Sequence, residues 1–380
     1  MTGNSEVTLQ GINILDAPCA FRHNHLAMKN GKQFPKSLLQ ATRYFEDLNV
    51  CVDFVAAMRW PNGVACPHCE SKRVSYLSSR RIWKCMNRDC HKQFSVKTGS
   101  IFEDSPIALD KWLTAVWLVV NCKNGISSYE IARHLKVTQK SAWFMLHRIR
   151  LAMDSGSLEK MGGPDSGPIE IDEAYIGGNP KNMHLSKRPK ARLANVPRFI
   201  QDQDGKTIIN PAAKMPCGRA TDKVPVMGML ERDTRKVRAK MIPQVKREVL
   251  QEAILENITK GSTVYTDMLA AYSNLKTLNF VHETVTHVEE YVRGNVHTNG
   301  IENFWSLLKR GLKGTYVAVE PFHLDRYIAE QVFRYNNRAT KDNPLNDADR
   351  FALAVSQIAG KRLTYAELTG KVQETTQEPF

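Results

Sequence analysis

The sequence predicts a multidomain chain in which a four-thiolate metal ribbon and two short helices precede a mixed α/β domain. Three observations carry that expectation: four cysteines at metal-ligand spacing, two helical patterns parted by a three-residue break, and a following run of strand and helix signals that opens with three strands. A length of 380 residues is enough for two or three domains and at least one sizeable core.

Charge narrows the partners. Lys and Arg number 53 against 39 Asp and Glu, a net charge of +14 with a pI near 9.4, so the surface field attracts polyanions. Nucleic acid is the first partner implied. A membrane surface is the plainer alternative, but no apolar run approaches the ~18 residues of a spanning helix. The first residues, with Asn4, Glu6, Gln10 and Asn13, lack the basic-then-apolar profile of a secretion signal. A cytoplasmic protein is expected.

Of the eight cysteines, Cys66-x2-Cys69 and Cys85-x4-Cys90 form two close pairs, each able to sit on one knuckle and present two thiolates to a tetrahedral Zn2+. His68 and His91 are the alternative ligands. Short strands at Ser75-Tyr76-Leu77 and Ile82-Trp83-Lys84 join the pairs. Cys19, Cys51, Cys122 and Cys217 have no partner at ligand spacing and read as small apolar residues.

Around that ribbon, residues 35–60 read as helical, with Leu38, Leu39, Phe45, Leu48, Phe54 and Val55 at core spacing. Asp110 reads as the N-cap of a buried helix over 111–120. Ser127 and Ser128 are placed to cap a helix carrying Ile131 and Leu135. Lys136-Val137-Thr138 makes the turn, and 139–150 form a second helix with Ala142, Met145, Leu146 and Ile149 inward. This is a helix-turn-helix pattern, whose second helix would offer Gln139, Lys140, Ser141 and Trp143 to the major groove. A plain helical hairpin is the alternative.

A polar, glycine-rich join at 154–168 leads into a strand over 169–176, a long insert over 179–222, strands over 224–232 and 236–242, and a helix over 245–258. Strands over 262–267 and near 281–288, then helices over 299–312 and 321–337, complete the order. It is the order of a ribonuclease-H-like fold, a mixed sheet flanked by helices. The expected boundaries are 1–60 for an N-terminal helical segment, 61–105 for the zinc ribbon, 106–153 for the helix-turn-helix region, 165–340 for the catalytic domain and 341–380 for a C-terminal tail.

Asp172 and Asp267 fall on strands and Glu302 opens an amphipathic helix. Carboxylates delivered from two strands and a helix suit a pair of hard divalent cations, as two-metal phosphodiester chemistry requires. Each has a plainer reading: a solvated strand acid for Asp172, an N-cap for Asp267, a helix-dipole acid for Glu302. Their order on those elements favours the joint reading. Alternation puts Asp172 on the face of its strand away from the core. Glu170 shares that side and reads as a solvated acid, with support of Asp172 as the alternative. Lys309, two turns after Glu302 on the same helix face, is placed to meet phosphate. The insert adds Lys181, Lys187, Arg188, Lys190, Arg192 and Arg198 with no acid from 181 to 198, either a DNA-neutralising element or a charged loop.

Several segments together carry a resemblance: Cys66-Pro67-His68-Cys69, Ile171-Asp172-Glu173-Ala174-Tyr175-Ile176-Gly177-Gly178, Tyr265-Thr266-Asp267, the run from His297 to Arg310 (HTNGIENFWSLLKR), and Phe333-Arg334-Tyr335-Asn336-Asn337-Arg338. Over roughly residues 35–355 the chain resembles the zinc-ribbon insertion-sequence transposases related to the Merlin superfamily, the ISXO-type bacterial family. That resemblance implies a DDE transposase that binds the terminal inverted repeats of its element, cuts there and joins the 3′ ends to target DNA. It assigns Asp172, Asp267 and Glu302 as the metal-binding triad, with Asn299 or Asn303 as alternatives in the third place. Two Mg2+ ions, replaceable by Mn2+, a structural Zn2+, double-stranded DNA and a homodimer on that DNA are the implied cofactors and partners, in the bacterial cytoplasm at the nucleoid. The competing classes are a catalytically inactive DNA-binding derivative and a ribonuclease-H-like nuclease that cuts without joining.

Overall fold

The computed structural model describes residues 33–154, 159–177, 199–201, 207–209, 223–285, 296–341 and 343–371. The chain divides into two compact units, Met1–Ser155 with Asn337–Phe380, and Gly156–Asn336.

In the first unit, α1 (Leu38–Tyr44) and α2 (Leu48–Arg59) begin at Ser37 and Asp47, whose side chains accept from Gln40 and Asn49 backbone N–H groups. A three-stranded antiparallel ribbon follows, of β1 (Val74–Leu77), β2 (Ile82–Cys85) and β3 (Gln93–Phe94). Helix α3 (Leu109–Asn121) is buried around most of its circumference. It starts earlier than the sequence suggests: Ala108 is the N-cap, without a side-chain bond, and Asp110 lies in the first turn. The buried Leu109 side chain draws the helix start back. Helix α4 (Ser128–Leu135) opens with a reciprocal capping box between Ser127 and Glu130 and closes on Lys136 in the left-handed region; α5 (Gln139–Met153) opens on Thr138.

The stretch read as a tail contributes to this core. Helix α9 (Asp347–Ser356) sends Phe351 against Phe54, stacked at 5.5 Å, and against Trp117 at 5.1 Å. Removing so enclosed a ring costs about 3–5 kcal/mol. Between α9 and the four-residue α10 (Tyr365–Leu368), Leu363 accepts from the buried Arg148 of α5, which also donates to the Ile101 carbonyl. Apolar residues at helical spacing near position 350 therefore belong to the first unit's interior.

The second unit is built on a five-stranded sheet in the order β10-β9-β4-β7-β8. Its strands are β4 (Ile169–Ile176), β7 (Val224–Glu231), β8 (Val237–Met241), β9 (Thr263–Asp267) and β10 (Val281–Val285). The first three in sequence pair antiparallel, whereas β9 runs parallel to both β4 and β10. Between β4 and β7, β5 (Phe199–Gln201) and β6 (Thr207–Ile209) form a separate antiparallel pair.

Helix α6 (Arg247–Asn257) packs Leu250 and Ile254 on one face of the sheet, with Ile169 and Ile171 of β4. The other face is covered by α7 (Asn299–Gly311) and α8 (Leu324–Asn336), whose Ile301, Phe304, Trp305 and Ile328 pack with Ala174 and Ile176. The central strand is thus enclosed on both sides. Period-two alternation does hold along β4, but the side predicted to face away from the core faces a second core. Glu170 is accordingly 1% exposed, and its reading as a solvated acid is corrected.

Candidate functional site

Each cysteine pair is closed by a residue in the left-handed region, Glu70 at φ 59° and His91 at φ 48°. These turns fold the knuckles back so that Cys66 Sγ lies 3.8 Å from Cys90 and Cys69 Sγ lies 3.6 Å from Cys85. Tetrahedral Zn2+ with Zn–S bonds near 2.3 Å requires sulfur separations of about 3.7 Å. The donors fit. The Ser71 backbone N–H, then hydrogen bonds from Cys85, Cys90 and Asn87, lower the Cys69 thiol to about 7 against the cost of burial, whereas Cys85, despite the Asn87 backbone N–H, is pushed up to about 12 by burial and its neighbouring thiols; Cys69 is the thiol of this pair that ionises first. His68 and His91 are exposed, and four sulfurs complete the set without them. Among the described residues, these thiols are the group of potential ligands that all lie within 4.8 Å of one another. The four cysteines form a structural zinc site. Cys51 is buried and donates to the Phe45 carbonyl, and Cys122 is half-buried; Cys19 and Cys217 lie outside the described residues.

The second unit brings the three carboxylates into one electrostatic neighbourhood. Asp172 stands mid-strand on β4, opposite Gly228 of β7. Burial first raises its carboxyl, the Glu173 backbone N–H opposes, the charge of Asp267 raises it further, Trp305 opposes, and Glu302 raises it again. The net position is about 6. Trp305 Nε1 donates to Asp172 Oδ2 at 3.0 Å. Asp267 ends β9, and its Oδ1 accepts from the Leu269 backbone N–H at 3.1 Å; it is not the N-cap its sequence also suggested, since the short 3-10 turn Ala270–Tyr272 has Leu269 at that position without a side-chain bond. Glu302 occupies the exposed first turn of α7, where Thr298 Oγ1 donates to it at 3.3 Å. Its oxygens and those of the two aspartates spread more widely than the four sulfurs. Asn299 and Asn303 lie on the same helix, and Lys309 is exposed two turns further along it.

Beside the acids lies a hydrogen-bonded group in which Glu170, weighed from the sequence only as an alternative support of Asp172, meets Arg232 and His297, which sequence reasoning gave no role. Glu170 Oε1 accepts from Arg232 Nε at 2.7 Å, and its Oε2 accepts from the Ile301 backbone N–H at 2.9 Å. Arg232 also donates to the His297 carbonyl at 2.6 Å and reaches His297 Nδ1 at 2.7 Å. Its guanidinium lies 4.8 Å from the centre of the Tyr265 ring. Arg232 follows β7 with no periodic signal to mark it. The two glycines were the clearer clue: a Cβ at Gly228 would come within 2.6 Å of the Trp305 ring, and one at Gly300 within 2.8 Å of Glu170 Oε2. On the other sheet face, the Tyr272 hydroxyl donates to Glu173.

The expected DNA-reading residues are partly engaged within the first unit. Gln139 Nε2 donates to Ser128 at 2.9 Å, Lys140 Nζ lies 4.5 Å over the Tyr365 ring, and the Ser141 backbone N–H donates to Thr138 at 3.1 Å. Trp143 is half-buried with its ring 4.6 Å from that of His147. Gln139 and Lys140 are exposed; Lys187, Arg188, Lys190 and Arg192 lie outside the described residues. No helix among the described residues is long and apolar enough to cross a membrane.

Two family models and one relative match the chain. Residues 165–336 match the ISXO2-like transposase domain, and residues 47–93 match the transposase zinc-ribbon domain. A protein of the transposable element ISH50 from Halobacterium salinarum is 28% identical over 266 residues, covering 68% of this chain and 81% of that protein. A simian T-cell lymphotropic virus intasome in complex with PP2A regulatory subunit B56 gamma, solved by cryo-EM, aligns over 58% of this chain and 69% of its own at 11% identity. Its TM-score of 0.25 is too low to bear on the fold. The chain thus carries a match to a transposase zinc-ribbon domain ahead of a match to an ISXO2-like transposase domain, and resembles a protein of a transposable element.

Proposed function

We propose that this chain is a transposase that binds the terminal inverted repeats of its element, cleaves them by two-metal phosphodiester chemistry and joins the exposed 3′ ends to target DNA. The observation that carries the reading is the state of Asp172: half-buried, and raised to about 6 in part by two acidic residues from other elements, Asp267 and Glu302. Like charges gathered in this way suit a cation between them.

The sheet order supports a ribonuclease-H-like domain: three antiparallel strands, then two parallel strands added beside the first, with α6 on one face and α7 and α8 on the other. Asp172, Asp267 and Glu302 are the residues that would hold two Mg2+ ions, or Mn2+ in their place. Such ions supply the Lewis acidity that activates a water or a 3′ hydroxyl and steadies the departing oxygen. Trp305 fixes one Asp172 oxygen, and Lys309 offers a cation to DNA phosphate along the same helix as Glu302.

The zinc ribbon and the capped pair α4 and α5, joined by a turn through Lys136, support recognition of the element ends by a helix-turn-helix region. In that region Gln139 and Lys140 are the exposed leading residues, and the basic insert would add salt-dependent backbone binding. Two ends cut in concert imply two active sites, hence a homodimer on DNA.

The test is cleavage of a labelled inverted-repeat duplex by Asp172→Ala and Asp267→Ala. Each variant is expected to lose cleavage by ~10³-fold or more while binding the end as the native chain does. Cleavage retained in the double variant would overturn the assignment. Joined products from pre-cut ends separate transposition from simple nuclease action.

A further inference from the structure

The buried Glu170 and the half-buried Arg232 and His297 make an assembly that the proposed chemistry does not itself use. Its position relative to the acidic trio is regular. Glu170 and Tyr265 are partners in the parallel pairing of β4 with β9, and Asp172 and Asp267 each stand two residues further along those strands. Glu170 Oε2 takes the backbone N–H of Ile301, and Glu302 is the next residue on α7. The assembly therefore sits one step behind the acids on all three elements that deliver them.

Each member has the chemistry for this place. Glu170 is sealed from water, and a buried carboxylate is tolerated only with charge and hydrogen bonds to meet it. Arg232 supplies both, donating Nε to Glu170 and spanning with its other end to His297, immediately before α7. Guanidinium has donors only, so in its contact with Arg232 the His297 Nδ1 serves as acceptor. The face of Tyr265 beneath the guanidinium ties the same cation to β9. Gly300 is required because Glu170 and Leu230 already fill the space that a side chain would take.

We propose that Glu170 and Arg232 are positioning residues that lock the first turn of α7 against β4 and β9, setting the distance from Glu302 to Asp172 and Asp267. Glu170 on this view is no metal ligand, although it lies two residues from one. The proposal rests on the two-metal reading above. Loss of such supporting contacts behind a metal site typically lowers metal affinity about 10–100-fold.

Two measurements on the purified full-length chain test it: the Mn2+ concentration that half-saturates the thermal shift, and the Mg2+ concentration that half-saturates end cleavage. Glu170→Gln keeps the shape but loses the charge. Arg232→Lys keeps the charge but cannot span Glu170 and His297 together. Both midpoints are expected to rise at least tenfold in either variant, with unchanged end binding and with cleavage largely restored at saturating metal. Lowered melting temperature with native midpoints, in whichever variant folds, would make the assembly merely structural and overturn the proposal. Cleavage that no metal concentration restores would make Glu170 part of the reacting site and overturn it equally. If the native chain shows no divalent shift, or Asp172→Asn shifts as the native chain does, the two-metal reading itself fails and the proposal falls with it.

Discussion

The thiolate centre and the carboxylate centre solve opposite problems. The four sulfurs come from 25 consecutive residues on two knuckles and already stand 3.6 and 3.8 Å apart between those knuckles, in a ribbon whose Trp83 and Phe94 rings pack together. The three carboxylates come from two strands and a helix spread over 131 residues, and they repel one another across a packed sheet. In the ribbon, metal binding supplies the folding energy. In the second unit the folded sheet supplies the energy that holds mutually repelling groups in place. Removing the ion should unfold the first, whereas it should leave the second folded with its repulsion no longer offset.

The largest expected effect belongs to the ribbon. Cys66→Ser, or chelation of the native chain, should release the zinc and unfold residues 61–100, because binding of about 10 kcal/mol or more is there equivalent to folding. Metal analysis and limited proteolysis report it. Unchanged zinc content in Cys66→Ser would break the contrast at its simpler end.

Gly228→Ala probes the other centre. Alanine in a strand ordinarily gains a few tenths to 1 kcal/mol over glycine, so a loss isolates the collision with Trp305 and Ile301 behind Asp172. A loss of about 2–3 kcal/mol in urea unfolding is expected. A gain would mean that Trp305 does not press on this strand.

Asp172→Asn gives an effect of similar size and the opposite sign. The folded protein holds the Asp172 proton more tightly than the unfolded chain, at about 6 against 3.8. This group's contribution to stability therefore falls as pH rises from below 3.8 to above 6. At pH 7.5 without divalent metal, the asparagine variant should be more stable than the native chain by up to about 3 kcal/mol, and the gap should close by pH 4. Melting curves at the two pH values check it. Equal stability at pH 7.5 would show that the acids do not strain the site.

The same contrast explains what could be read from the sequence. A tetrathiolate site is written in local spacing, so Cys66, Cys69, Cys85 and Cys90 were legible without a fold. Asp172, Asp267 and Glu302 were legible as acids on suitable elements, because β4, β9 and α7 announce themselves by periodicity. Glu170 was legible only as the less favoured alternative and Arg232 not at all: alternation gave the correct side of β4, but only the packing of α7 and α8 turns that side into an interior. Phe351 escaped for the same reason, since its partners Phe54 and Trp117 are more than 200 residues away in sequence. Period gives the face of an element and leaves unstated what covers it.

The most direct measurement is the stoichiometry of Mn2+ bound by the zinc-loaded chain in the presence of a cleaved inverted-repeat end, taken for the native protein and for Asp172→Ala, Asp267→Ala and Glu302→Ala. Two Mn2+ per chain are expected in the native protein, with fewer in each variant and the greatest loss at Asp172. Native stoichiometry in all three variants would contradict the joint role of these carboxylates.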